Sequence, residues 1–380
     1  MTALKSILGP GRFTTLHDEP EVSKLTYGMD FREPRYRRET FLRFYEFHLR
    51  YGSHPGGVYF LLPHLAKTEG WDLEAKLWFA YINGNTQNPI TSWLIFREFP
   101  SIQKLDSFKL KSWFELHYTK LAFDTDRRYF KKSFLDCVDN YRALLRGGTQ
   151  ADFFGPYTKG GPRETFRLLW PLVNRNYIYF GRLSVFSYLE YLAISGLPVE
   201  CDQLFLTDLA GSKSHRNGLC KVLGRDDLDW HASNPVFTGN YSSEMMQWLT
   251  EEGTKLLGDA THRMRRAPYA KDVGYFTLES ALCTYKSWHR PNRRYPNVYS
   301  DLMVDRIQLA ECSWGPLPVF WEARRHKLKP ELLLEDNPAD CGVKATKQNH
   351  YRLTGQPVMM HTDWDCFKND FNDDVNKRQR

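Results

Sequence analysis

Hydrophobic positions recur at helical spacing along most of the chain, and strand-like alternation is scarce, so the pattern predicts a mostly α fold. A helix over Thr40–Tyr51 would turn Phe41, Phe44, Tyr45 and Leu49 inward. Further helices are expected over roughly 73–83, 90–99, 131–145 and 163–170. In the third of these, Phe134, Leu135, Val138, Tyr141 and Leu145 share one face, and Gly147-Gly148 ends it. The chain is organised around the stretch Phe180–Gly224. There Gly181 opens a helix that sets Leu183, Phe186, Leu189, Leu192 and Ala193 on one apolar face, and Gly196 and Pro198 stop it. A later helix carries Met245, Met246, Leu249, Leu256 and Leu257, and the segment from Asp272 begins as a buried helix. Residues 1–35 are punctuated by Pro and Gly and predict an arm. The turn-rich Gly155–Pro162 predicts a boundary between a first helical lobe, 36–150, and a second, 151–360, with a polar tail over 361–380.

Composition narrows the class. Of 380 residues, 42% are hydrophobic and 26% charged, an ordinary globular balance. Aromatics reach 15%, with 11 Trp and 21 Tyr, residues that stack on bases as well as fill cores. A net charge of +7 suits a polyanionic partner without resembling a histone-like tail. Seven scattered Cys with no CxxC pair argue against a disulfide framework, a zinc ribbon or an iron–sulfur cluster, and for a reducing compartment. With no apolar run of membrane-spanning length and no signal-peptide core, the expected location is the cytoplasm. There is no P-loop, no GxGxxG after a strand, no GxSxG and no HExxH, and no His spacing asks for a metal.

Four stretches carry candidate chemistry. Asp202 lies in the apolar run Val199–Phe205, and Asp208 precedes Ala210-Gly211 and the basic helix start Lys213, Ser214, His215 and Arg216. Backbone N–H groups and the helix dipole make such a start a phosphate cradle, whereas the plainer reading is a core helix, a loop and a solvated basic helix. The amides Asn85, Gln87 and Asn88 in Asn83–Pro89 present donors and acceptors that match a nucleobase edge, or else cap a helix. Asp124 and Asp126 beside Arg127 and Arg128 read as a salt-bridge knot or a site. Lys286, His289, Arg290, Arg293 and Arg294, interleaved with Trp288 and Tyr295, read as a nucleic-acid or phosphate surface or as a charged turn.

Two segments resemble the helix-hairpin-helix DNA glycosylase superfamily. Leu77–Pro100 is similar to its early helix–loop–helix, with Asn85 at the position of a Gln that enters the base-flipping site. Gly181–Asp202 is similar to its hairpin glycine, following helix and approach to the catalytic aspartate. The hairpin has one glycine where the superfamily has GxG, and Leu183 stands where lyase members carry a Schiff-base lysine, so lyase activity is not expected. More specifically, residues 35–355 resemble the α-glutamyl/putrescinyl thymine pyrophosphorylases, phage amino acid:DNA transferases. The resemblance rests on RFYEFHLRYGSHPG, LWFAYINGNTQNP, LAFDTDRR, FGRLSVFSYLEYL, CDQLFLTDLAGSKSHRNGLCKVLGRDDLDWH, GYFTLESALCTYKSWHRPNRRYPN and KQNHYRLTGQP.

These resemblances imply a two-lobed glycosylase-like fold with a DNA- and base-binding cleft. They also imply a role in thymine hypermodification in an infected bacterial host. A 5-hydroxymethyl-uracil in DNA, pyrophosphorylated by a separate upstream kinase, would lose pyrophosphate as an amino acid or polyamine joins the methylene carbon. Lys213, Ser214, His215, Arg216, Lys286, Arg290, Arg293 and Arg294 would then meet the pyrophosphate. Asp202 or Asp208 would take the proton of the amine, with His289 in reserve, or Asp202 would stabilise positive character on base or sugar. Asn85, Gln87 and Asn88 would read the base, and Asp124 and Asp126 would hold the incoming ammonium. No cofactor is expected, any Mg2+ arriving with the pyrophosphate. A glycosylase acting on a modified base, or a non-catalytic helical DNA-binding protein, are the alternative readings.

Overall fold

The computed structural model describes residues 34–51, 58–208, 213–229, 242–286 and 299–327, and every regular element among them is a helix. In chain order these are α1 (Pro34–Tyr51), α2 (Val58–Thr68), α3 (Leu73–Thr86), α4 (Pro89–Glu98) and α5 (Ser107–His117). They continue as α6 (Phe134–Leu145), α7 (Gln150–Phe154), α8 (Pro162–Asn176), α9 (Arg182–Ser195) and α10 (Lys213–Val222). The last four are α11 (Ser243–Met264), α12 (Tyr275–Tyr285), α13 (Tyr299–Trp314) and α14 (Pro318–Lys327). No described helix is long and apolar enough to cross a membrane.

Local signals account for many of the boundaries. Asp72 caps α3 by accepting from the Ala75 N–H, and Asn88 caps α4 by accepting from Ile90 and Thr91, with Pro89 in the first turn. Gly196, at φ +107°, closes α9 in a conformation that few other residues adopt. Three helices run beyond the sequence expectation. α1 starts at Pro34, within the expected arm, α3 continues through Asn85 to Thr86, and α8 passes Trp170 to Asn176 despite Pro171.

The expected single apolar face of α9 is overturned. Ser184 to Leu192 are all buried, whereas Leu183, expected inside, is 38% exposed. α2, α3 and α8 pack around this helix, so its burial follows from encirclement rather than from one stripe.

Buried apolar side chains form two cores. The first joins α2, α3, α4, α6, α8 and α9 and reaches Ile307 and Phe320 of α13 and α14. The second joins α1, α10, α11 and α12. Along the middle of the chain the division falls between Cys201 and Leu204. Phe154 and Phe166, on either side of the turn-rich 155–162 segment, both belong to the first core. Each core is built on a close helix pair, α3 with α9 and α10 with α12. A glycine sits at each contact. Gly84 of α3 faces the Tyr188 side chain of α9, and a methyl group on Gly218 of α10 would overlap the Leu282 carbonyl of α12.

Gly218→Ala should therefore cost about 1–3 kcal/mol through overpacking, seen as a lower urea midpoint at unchanged slope. Gly258→Ala, exposed in α11 with open space around it, should instead stabilise by roughly 0.5–1 kcal/mol. Equal behaviour of the two variants would refute the close-contact account.

Candidate active site

The second core carries a line of ionisable side chains where α9, α10, α12 and the 201–208 segment meet. Arg182 opens α9 and lies largely inside. Its Nε is 3.3 Å from Asp208 Oδ2 and its Nη1 3.9 Å from Glu279 Oε1. The guanidinium lies 5.7 Å from the ring centroids of both Phe186 and Phe205, and Nη2 is buried without a hydrogen-bond partner among the described residues. Glu279 of α12 is buried, with Oε1 2.9 Å from His215 Nδ1. His215 of α10 is anchored at its other nitrogen, Nε2, 2.6 Å from the Leu204 carbonyl. Cys283 stands one turn beyond Glu279, and Lys286 donates to Ser214 Oγ at the start of α10.

Environment separates two buried glutamates. Burial pushes the Glu279 carboxyl up, but His215 and Arg182 outweigh it and hold the group below the ordinary glutamate value. Glu190 of α9 has no such cation. Burial raises it to about 8, against the hydrogen bond that the Tyr59 hydroxyl donates at 2.6 Å. The two environments thus push the two buried carboxyls in opposite directions.

Of the two aspartates expected in the site, Asp208 joins this cluster through Arg182. Asp202 pairs at 2.6 Å with the exposed Arg167 of α8, and its other oxygen, Oδ1, is buried without a hydrogen bond among the described residues. Lys213 is exposed and Ser214 half-buried, as a phosphate cradle needs. His215 and Arg216, expected as exposed phosphate ligands, are interior instead, because α10 is buried on every side from 215 to 220, packed against α1, α11 and α12. Arg216 Nη1 donates to the Leu206 and Asp208 carbonyls at 3.1 and 3.2 Å, fixing the 206–208 segment. His289, Arg290, Arg293 and Arg294 lie outside the described residues.

The amide cluster forms a second knot. Asn85 is fully buried, donating from Nδ2 to the Tyr81 carbonyl and accepting at Oδ1 from Arg127. Gln87 accepts from the Tyr191 hydroxyl at 3.0 Å, and Asn88 both caps α4 and donates to Asp124. Asp124 also pairs with Arg306 at 2.8 Å, and Asp126 accepts from Thr125. These groups hold one another, and of the three amides Asn88 caps α4.

Sequence reasoning passed over Arg182, Glu190, Glu279 and Cys283. The available signal was a glutamate inside helices that are otherwise apolar, FSYLEYLA and GYFTLESALC, since an ionisable group at such a position needs partners.

The family model described as amino acid:DNA transferase matches residues 61–294, a span that contains this entire cluster. A serinyltransferase of Salmonella phage ViI is 30% identical over 298 residues, covering 75% of this chain and 72% of that protein. No solved structure matches.

The raised Glu190 value fixes a pH dependence. Between the ordinary glutamate value of 4.5 and about 8 the folded state keeps a proton that the unfolded state has lost, so stability falls as pH rises through that window. Glu190→Gln should remove that loss, which amounts to a few kcal/mol, with urea unfolding of both proteins across the window as the readout. Parallel curves would show that Glu190 is not protonated in the folded protein.

Proposed function

Because this chain belongs to the amino acid:DNA transferase family, we propose that it displaces pyrophosphate from 5-pyrophosphoryloxymethyl-uracil in DNA with the amine of an amino acid. The product is an aminomethyl-type thymine, and a separate kinase acting on the DNA base supplies the substrate. The observation that carries this reading is the grouping of Arg182, Lys213 and Lys286 around the start of α10 with the Asp208 carboxylate on Arg182. The serinyltransferase relative makes serine the first donor to test.

In the proposed step a neutral amine attacks the methylene carbon and a C–N bond forms. The C–O bond breaks with its electron pair leaving on pyrophosphate, and the proton of the new ammonium passes to a base. Arg182, Lys213 and Lys286, with Ser214 and the α10 N-terminus, would meet the charge growing on the leaving group. The 290–294 arginines are proposed to extend that surface, and any Mg2+ to arrive on the phosphates. Asp208, 41% exposed at its side chain, is the proposed base, with His289 as the alternative. Glu279 holds Arg182 and His215 in place, a positioning role. Asp202 would stabilise positive character on the base or sugar.

The turn at 177–181 between α8 and α9 is the proposed counterpart of a glycosylase hairpin. On that reading the thymine derivative is flipped from the stack at a cost of a few kcal/mol. Gln87 and Asn88 would meet its edge and Asp124 and Asp126 the ammonium only after exchanging their internal bonds. Asn85 is the most deeply committed of the set. The setting would be the cytoplasm of an infected host.

DNA carrying the pyrophosphorylated base, incubated with serine, other amino acids or putrescine, should yield one amine-bearing nucleoside by mass spectrometry, with one pyrophosphate released per product. Free base in place of that nucleoside would convert the assignment to a glycosylase. Asp208→Asn should lower kcat by roughly 10²–10⁴-fold with DNA binding retained, and unchanged turnover would remove Asp208 from the chemistry.

A further inference from the structure

His215 sets a problem that the transferase reading leaves open. Its Nε2 lies 2.6 Å from the Leu204 carbonyl, which only accepts, so Nε2 carries a proton and Nδ1 is left to hold either a second proton, as in the ion pair with Glu279, or a metal ion in its place. Nδ1 faces Glu279 Oε1 at 2.9 Å. Cys283 lies one turn beyond Glu279 on α12, so its sulfur falls on the same face. The ligand atoms of His215, Glu279 and Cys283 all lie within 4.8 Å of one another. Three such ligand atoms converging in an interior can hold a divalent ion where the histidine's second proton would otherwise sit.

The donor set identifies the kind of cation. One imidazole nitrogen, one carboxylate oxygen and one sulfur suit zinc and exclude the all-oxygen shells of magnesium and calcium. Bond lengths of about 2.0 Å to nitrogen and about 2.3 Å to sulfur set tetrahedral ligand atoms roughly 3.3–3.7 Å apart. The observed spacings, 2.9 Å between His215 Nδ1 and Glu279 Oε1 and at most 4.8 Å within the set, bracket that range. A ring N–H given to a backbone carbonyl is also the outer contact that orients a metal-binding histidine. The carboxylate and a thiolate together balance a divalent charge. Gly218, one turn after His215, brings α10 against the carbonyl of Leu282, the residue before Cys283, and so sets the approach of the two ligand-bearing helices.

We propose that His215 Nδ1, Glu279 and Cys283 form a three-ligand zinc site with its fourth position open. Ion binding does not depend on the transferase reading. The occupant of the open position does: with Arg182 and Lys286 nearby, it would be an oxygen of the leaving pyrophosphate. The sequence expectation of no metal came from local spacing, and these ligands come from two helices far apart in the chain.

The test uses the untagged, full-length protein without DNA. Elemental analysis should find about one zinc per chain. Replacement with cobalt should give the visible bands of a four-coordinate ion and a near-ultraviolet thiolate-to-cobalt band. Cys283→Ser should abolish the thiolate band, and His215→Ala should reduce bound zinc several-fold. Folded wild-type protein that takes up neither zinc nor cobalt would overturn the proposal and leave a histidine–glutamate ion pair. So would a thiolate band that persists in Cys283→Ser, since the ion would then sit elsewhere. Zinc held through these ligands in a protein that transfers no amine would uphold the site while removing the transferase reading.

Discussion

The first core depends on a cation, Arg127, that is buried with no carboxylate partner among the described residues. Arg127 is 1% exposed, and its guanidinium is surrounded by carbonyl dipoles and aromatic faces. It donates to the backbone and side-chain oxygens of Asn85 at 3.1 and 3.0 Å and to the Tyr179 carbonyl, and lies 5.2 Å from the Phe180 ring centroid. Desolvating an arginine costs several kcal/mol, and oriented carbonyls offset that cost only if they stay in place. The guanidinium therefore fixes the end of α3 against the turn that launches α9. Arg182 begins three positions after Tyr179, so the geometry of the candidate site derives from this knot.

Downstream, charge alternates along Asp208, Arg182, Glu279 and His215. In a medium of low polarity such a line behaves as one unit, because removing any member takes a partner from its neighbours. The cationic groups nearest solvent, Lys213 and Lys286, flank it at the start of α10, where the helix dipole has the same sign. Interior fixed charge beside two cationic side chains at a helix start favours an anion there.

Much of this was legible from local pattern. The inward set of α1, the glycines bounding α9 and the placement of Asp208 beside a basic helix start depend on nearest neighbours in sequence, and all appear as read. Other features are set by partners distant in the chain. The all-round burial of α9 follows from three helices packing on it, and the amides of 83–89 follow from Arg127, Tyr191 and Asp124 reaching them. The turn-rich 155–162 segment looked like a boundary because its composition is that of a linker, yet Phe154 and Phe166 carry one core across it. Glu279 and Cys283 looked like core-helix residues because nothing within α12 shows that His215 will face them.

Membership of α1 in the second core has a consequence for how the protein is made. Thr40 meets the Tyr285 hydroxyl at 3.0 Å across 245 positions, and Tyr45 meets Thr277 at 2.7 Å across 232. The first core is built mainly from residues 58–201 and can close while synthesis continues. α1 leaves the ribosome before any of it, but its partners arrive only with α10, α11 and α12. At roughly 5–20 residues per second, its Phe41, Phe44, Tyr45 and Leu49 face stays uncovered for on the order of ten to forty seconds. This helix is the stretch that a nascent-chain chaperone has longest to hold, and its release must wait for the C-terminal half of the chain.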